Sequence, residues 1–554
     1  MIRGFVPSTA KEMSGLGWKG PDVVIVTGDA YIDHPFFPAA SAGRFLNSGG
    51  IRTAILDMPD PEKEADWTVF GRPFLCFVVI AGKEDSMAMN YTAFRKYRST
   101  DPYIPGGKRT VRPDRAVIKY CNVIRKLFKD VPIILSGAEA AGRMSTHYDY
   151  WTDTIRKPLL FDSKADMIVY SNIEHNLLEL CGQLKSRRDL KTIIKMNGTA
   201  YISKEYKASK NTVLLPSHED IVSDKRLIGT HHNLIHLNMN PYNSKILVQK
   251  VMDRYMVIHR PGDPLSVKMT DDVFGTGFKR RPHPKYKDEI PIYRFIKDMI
   301  ITHRGCLNDI SCSQDILTEG RMICSRSQHS VRKEVTSFVR SKEYNKTLRV
   351  FGLPRFNHYG VYVSKTAVCA KCTRLSCTMP DICPNISKDE GQSKLFSAFD
   401  ETTNLRNIYT ASEADIRLLL SDMSSCKDLL TKRNDGVINL DAYKNDLENT
   451  LRDIRFLRKK AGEYGKKNLK FKISITAGYP GVNDIDTDLI VKTMEDTGAE
   501  IGDVRHFVPL PMTIESAIFC NLKDKKLSGM RKLAALLKKI RGDSKKKKGR
   551  KNSP

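Results

Sequence analysis

No run of apolar residues in this 554-residue chain is long enough to span a bilayer. The opening stretch, MIRGFVPSTAKEMSGLGWKG, lacks the apolar centre of a secretory signal. A cytoplasmic protein is the expectation. Acidic residues are in short supply, with 63 Asp+Glu against 91 Lys+Arg and a formal charge of +28. The tail RGDSKKKKGRKNSP holds seven bases and one acid, a net of +6, so most of the excess is spread through the body. A basic body suits RNA, another polyanion or an anionic cofactor. The aromatic signature of a common RNA-binding module is missing, however. There is no internal repeat. The 12 cysteines cluster in a long chain, a pattern that points away from a disulfide scaffold and toward metal.

What is present is an alternation of strands and helices. DVVIVTG (Asp22–Gly28), IRTAILD, FLCFVVIAG (Phe74–Gly82), VPIILSG (Val131–Gly137) and ADMIVYS (Ala165–Ser171) are short apolar runs. Helical patterns such as FFPAASAGRFLNSGG separate them. This predicts an α/β protein with a buried parallel sheet. Ligands of such sheets sit beyond the carboxyl ends of the strands. The loops there offer Asp29, Asp33 and His34, then Glu139, and then His147, Tyr148 and Asp149. They are the candidate N-terminal pocket. Residues 201–292 look irregular and are expected to connect and wrap the domains. A second α/β part begins near Tyr293. It has a strand within PIYRFIKDMIITH, a helix in LDAYKNDLENTLRDIRFLRKKAGEYG with Asp441 near its start, and a strand in LKFKISITAGYPG.

Two cysteine groups stand out. ITHRGCLNDISCSQDILTEGRMICSRS carries Cys306, Cys312 and Cys324. VCAKCTRLSCTMPDICPN carries Cys369, Cys372, Cys377 and Cys383 within fifteen residues. Four thiols this close suit tetrahedral zinc or an iron–sulfur cluster. Lys371 and Arg374 would ease thiolate formation. Cys76, Cys121 and Cys181 lie on apolar elements and read as core.

Further strings place these groups in a wider pattern. VTGDAYIDHP, GRPFLCFVVIAGKEDSMAMNYTAFRKYRSTDPYIPGG, RPDRA and HYDYWTD mark the first part, and RRPHPKYKDEIPIY the middle. THRGC, EGRMICSRSQHSV, CTRLSCTMPDICPN and HFVPLPM mark the second. In this order they resemble the YgiQ family of radical S-adenosylmethionine (SAM) proteins over nearly the whole length. The resemblance implies a Rossmann-like domain over 1–200, a connecting region over 201–292, and a partial TIM-type barrel of radical SAM type over 293–522. A basic tail, 523–554, follows. In that barrel three cysteines hold a [4Fe–4S] cluster whose open iron chelates SAM.

The family's loop is C-x3-C-x2-C, and this chain departs from it. Counting from Cys306, the second and third ligand positions are Ile310 and Ser313. Ile310 cannot ligate iron, and Ser313 could do so only poorly. Cys306, Cys312 and Cys324 remain as a C-x5-C-x11-C set. The resemblance also implies SAM contacts at Gly352 and Pro354 and at Pro480 and Gly481, where Tyr479 stands in the family's HPG loop. The last three cysteines of the second group match the family's C-x4-C-x5-C. The cobalamin loop of related proteins, Asp-x-His-x-x-Gly, is not reproduced around Asp33-His34, so cobalamin is not expected. Two readings follow. One is a [4Fe–4S]- and SAM-dependent enzyme of unknown substrate. The alternative is a catalytically inactive member that binds a ligand, RNA or protein.

Overall fold

The structure, a computed structural model, describes residues 2 and 4–522, except 187, 194, 308–313, 343, 345–346, 352–355, 402–404, 406, 410–414, 442–446, 479 and 481–495. Five apolar runs form a parallel array: β1 (Val23–Thr27), β2 (Thr53–Asp57), β3 (Cys76–Val79), β4 (Ile133–Ser136) and β5 (Met167–Val169). The array continues into β6 (Thr199–Ser203), β7 (Thr212–Leu215), β8 (Ile246–Val251) and β9 (Arg254–Ile258). The spatial order is β2-β1-β3-β4-β5-β6-β9-β8-β7. The first five strands have the doubly wound order 2-1-3-4-5, whose switch point lies between β1 and β3.

Both faces of the sheet are covered, which is why its strands are apolar at nearly every position rather than alternately. Val24, Val26, Phe77, Val79, Ile133 and Leu135 pack into one core. Val23, Ile25, Cys76, Val78 and Ile134, one step out of phase, pack into the other. Cys76 and Cys181 share the second core and Cys121 lies in the first. That is the core placement their apolar surroundings indicated.

Residues 201–292 correct the expectation of an irregular connecting region. They supply three of the nine strands, β7 to β9. The β8–β9 hairpin turns on Met252 at φ +54°, a left-handed position usually taken by Gly or Asn. No turn residue therefore advertises it. The end of the stretch does wrap back over the first domain. Arg280 N–H donates to Asp33 O at 2.8 Å, and Asp33 N–H to Arg281 O at 3.0 Å.

The second part has two runs of parallel strands, each in sequence order. β10 (Met299–Ile301), β11 (Thr347–Phe351) and β12 (Asn407–Tyr409) form the first. β13 (Val437–Asp441), β14 (Lys470–Ala477) and β15 (Glu500–His506) form the second. Helices Gln328–Val339, Gly391–Asp400 and Leu447–Glu463 intervene. Together they are two open three-stranded (β/α) sheets. Asp441 ends β13 rather than opening the next helix, because VINLD is strand-forming and pairs with β14. Among the described residues no helix is long and apolar enough to cross a membrane.

Candidate functional site

The mouth of the second part is built from the turn that follows β10. His303 and Arg304 pair antiparallel with Ser325 and Cys324. Gly305 sits at φ +92°, and a Cβ there would lie 2.1 Å from Met322 O. Only glycine lets the two segments approach this closely. Cys306 follows, buried, its N–H donating to Gly320 O at 3.1 Å. Gly320 is itself left-handed at φ +91°. The turn thus fixes Cys306 and the Gly320-Arg321 segment against each other.

Arg304 ties this mouth to the first domain. Its guanidinium spans both Glu174 oxygens at 2.7 and 2.9 Å and reaches Glu319 at 3.5 Å. Burial alone would raise Glu174. Arg304, with hydrogen bonds from Arg304 and Ser41, overrides it and holds the carboxyl at about 2. Arg304 also lies over the Phe274 ring at 5.3 Å. Opposite Arg304 in the ladder, Cys324 is buried, and burial pushes its thiol up to about 11.

The second cysteine group docks onto the same mouth. Cys377 N–H donates to Leu307 O at 2.8 Å, and Cys383 N–H donates to Cys377 O at 2.8 Å. Cys369 ends the short helix Thr366–Cys369 and its Sγ accepts from Asn385 Nδ2 at 3.3 Å. Cys372 Sγ accepts the N–H of Arg374 at 3.4 Å. Burial raises the Cys369 and Cys377 thiols, and Arg321 opposes it at Cys377 with its charge and a hydrogen bond. The charges of Cys372 and Cys383 act on Cys369, and those of Cys383 and Cys369 on Cys377. Cys372 N–H also donates to Cys369 O at 3.1 Å, so backbone hydrogen bonds link the four cysteines in two pairs. Among the described residues no three of His, Cys, Asp and Glu stand in ready-made metal geometry. Two asparagines of the first domain grip this loop, Asn240 on Cys369 O at 2.8 Å and Asn243 on Cys372 O at 2.7 Å.

The residues of the candidate N-terminal pocket fall into separate internal networks. Asp29, at the switch point, pairs with Arg112 at 2.8 Å, and Arg112 also holds Asp101 at 3.1 Å. Burial pushes Asp29 up in spite of Arg112. A Cβ on Gly82 would meet Arg112 at 2.7 Å, so the guanidinium fills the crevice between β1 and β3. Asp33 pairs with buried Arg44. His34 Nδ1 accepts the N–H of Phe36 at 3.1 Å, and burial pushes its ring pKa down. Glu139 accepts from Ser86 N–H at 2.9 Å and is raised by burial. His147, on the hairpin His147–Asp149 and Thr154–Arg156, bonds Ser145 O at 3.0 Å, and burial pushes it down to about 3. Tyr148 donates to Asp153 at 2.6 Å. Burial would raise Asp149, but Arg115, 2.9 Å away, and Arg143 hold it at about 2. A cavity lined by Pro35, Phe36, Lys83, Gly137, Glu174 and Arg304 offers about 20 Å³, room for about one water.

Cys312, Gly352, Pro354 and Gly481 lie outside the described residues, as does the tail 523–554. Pro480 is buried beside the end of β14. Arg304, Glu174, Arg112, Asn240 and Asn243 were not foreseen. Their partners are far away in sequence, and a single Arg or Asn carries no local signal. The family's cluster loop does not fit the residues present. Isoleucine and serine occupy two of its three ligand positions.

The family profile described as "Radical SAM N-terminal" matches residues 5–299, just over half of the chain. A UPF0313 protein of Methanocella arvoryzae is 33% identical over 525 residues, covering 92% of this chain and 87% of the relative. A UPF0313 protein of Fusobacterium nucleatum is 32% identical and covers 94% of each chain. One of Geobacter sulfurreducens is 31% identical over 93% of this chain and 87% of its own. Among solved structures, the radical SAM methyltransferase TsrM from Kitasatospora setae, with cobalamin and a [4Fe-4S] cluster bound, is 13% identical. It covers 89% of this chain and 77% of that one at a TM-score of 0.48.

Proposed function

The chain belongs to the UPF0313 (YgiQ) family of radical SAM proteins, and from that premise we propose that it is a SAM-dependent iron–sulfur protein whose cluster ligands have been rearranged. The described thiols at the mouth are Cys306 and Cys324, and the sequence adds Cys312 from the segment between them. The observation that carries the reading is the turn at Gly305. A left-handed glycine, the Cys306–Gly320 hydrogen bond and the Arg304–Glu174 bridge fix Cys306 at the mouth. The Cys369, Cys372, Cys377 and Cys383 loop is the second metal site of this reading, taking zinc or another iron–sulfur cluster. We place the protein in the cytoplasm.

One observation favours a second reading. Ile310 and Ser313 stand where the family has cysteines, which suits a member that binds RNA or another polyanion without cleaving SAM. One experiment separates the two. The protein is reconstituted anaerobically with iron and sulfide, as parent and as Cys306→Ala. Iron, sulfide and zinc are counted, and 5′-deoxyadenosine is assayed after reduction with SAM. About four irons lost with Cys306, together with 5′-deoxyadenosine, support the first reading. Iron content that ignores Cys306, with SAM left intact, removes it.

A further inference from the structure

The helix Gln328–Val339 separates its charges by face. Val331, Val335 and Phe338 are buried, while His329, Arg332, Lys333, Thr336, Ser337 and Arg340 are exposed. The helix has one acid, Glu334, and it is drawn inward. Arg326 holds it at 2.5 Å, and Arg280 bonds its other oxygen. With Glu334 spent on these two buried guanidiniums, the outer face has no carboxylate. An ordinary solvated helix intersperses Glu and Lys at i,i+4, because like charges at that spacing repel. Here His329, Lys333 and Arg332 crowd together with no described carboxylate partner.

That face lines an open groove of about 790 Å³, whose described walls are Gln328, His329, Arg332, Lys333, Thr336, Ser337 and Arg340. A larger groove of about 1020 Å³ adjoins it, since Gln328 and Arg332 line both. The second groove runs to the Cys-rich loop through Cys383 and Pro384, but Asp389, Glu390, Glu401 and Asp422 also line it, so a polyanion is confined to the first groove. From Arg332 to Arg340 the helix rises about 12 Å, the scale of a few nucleotides of an extended strand.

We propose that this groove binds the phosphodiester backbone of a nucleic-acid strand, and that Arg332, Lys333 and Arg340 are its phosphate contacts. The inference rests on the polyanion-binding reading and gives it a place in the fold. Thr336 and Ser337 add hydroxyl donors to phosphate oxygens. The described walls hold no aromatic side chain, so bases are not stacked there. Binding is then indifferent to base sequence and steeply salt-dependent.

The test uses the full-length protein and fluorescent single-stranded oligonucleotides, poly-U RNA and oligo-dT DNA, titrated from 50 to 300 mM salt. Variants are the triple Arg332→Glu, Lys333→Glu, Arg340→Glu, and a tail variant with Lys545, Lys546, Lys547 and Lys548 changed to Gln. Circular dichroism checks that each folds, and a milder triple change to Gln serves if the reversal does not. The expected result is binding of both strands with similar affinity. The groove variant should bind at least ten-fold more weakly, with a log–log salt slope shallower by roughly 2, for three contacts at about 0.7 each. If the parent binds and the groove variant equals it while the tail variant fails, the groove assignment is overturned and the polyanion reading stands. If the parent binds neither strand, both fall.

Discussion

The N–H of Cys377 donates to the carbonyl of Leu307 at 2.8 Å, so the residue after Cys306 and the middle of the Cys-rich loop share one hydrogen bond. The two cysteine groups are distant in sequence but form one unit, further clamped by Asn240 and Asn243. The ligand sets should nevertheless separate. If the Cys369–Cys383 loop holds the metal proposed for it, Cys377→Ala should release that metal and lower the thermal midpoint by several degrees, because bound metal stabilises the folded state. Cys306→Ala should leave that metal in place. Elemental analysis of zinc and iron in the two variants checks this. Loss of the same metal from both would mean a single shared site.

Gly305→Ala should be strongly destabilising. The residue would be held at φ +92° with its Cβ 2.1 Å from Met322 O. Backbone strain of this kind costs about 1–3 kcal/mol before the clash is relieved. Gly182, inside the helix Ile173–Lys185 with nothing within 4 Å of an added Cβ, is the matched control. Gly182→Ala should stabilise by up to about 1 kcal/mol. Urea unfolding midpoints of the two variants should therefore move in opposite directions. A Gly305→Ala protein as stable as the parent would show that the mouth can open at little cost.

The N-terminal sheet was legible because its strands are buried on both faces and announce themselves as continuous apolar runs. Its far half was not. β8 and β9 carry Lys250 and Arg254 at solvent-facing positions and a buried Gln249, and the hairpin turns on Met252 instead of Gly. The Cys369–Cys383 group stands out in the sequence by its spacing, whereas its docking onto Leu307 does not. What the polar strand-end residues do was not legible either. Asp29, Asp33 and Asp149 look like ligand groups in a one-dimensional reading. In the fold each meets an arginine: Arg112 and Arg44 are themselves buried, and Arg115 is partly so. Paired charges of this kind are a common way to carry a buried carboxylate. Sequence identifies the donor types but not which arginine reaches them.

His232 and His236, one turn apart on the helix Leu227–Leu237, bond the carbonyls of Thr513 and Met512 at 3.0 and 2.9 Å. They join the last described strand-end segment to the first domain. Replacing both by Phe keeps the bulk and removes the two hydrogen bonds. The expected effect is a loss of about 1–3 kcal/mol and faster proteolysis after residue 506, read by limited digestion and mass spectrometry. Unchanged digestion would show that packing alone holds the segment.

The Arg304–Glu174 bridge predicts how the two parts respond to acid. Glu174 has an ordinary value of 4.5 when the chain is unfolded, and about 2 in the folded protein. Between those values the unfolded chain takes up a proton that the folded chain does not. The bridge therefore contributes its full stability above pH 4.5 and loses it progressively as pH falls toward 2. The difference corresponds to about 3 kcal/mol. Glu174→Gln should flatten the acid limb of a stability–pH curve between pH 5 and 3. It should also cost about 3–5 kcal/mol at neutral pH, since Arg304 is left buried without that carboxylate. Arg304→Met should cost a similar amount and abolish the same acid dependence. The double variant should cost less than the sum of the two, because neither charge is then stranded. Denaturant unfolding at pH 7, 5 and 3.5 for the four proteins reads all three outcomes. Additive losses would mean that the two residues act independently and that Arg304 is held in the mouth by Glu319 and Phe274 instead.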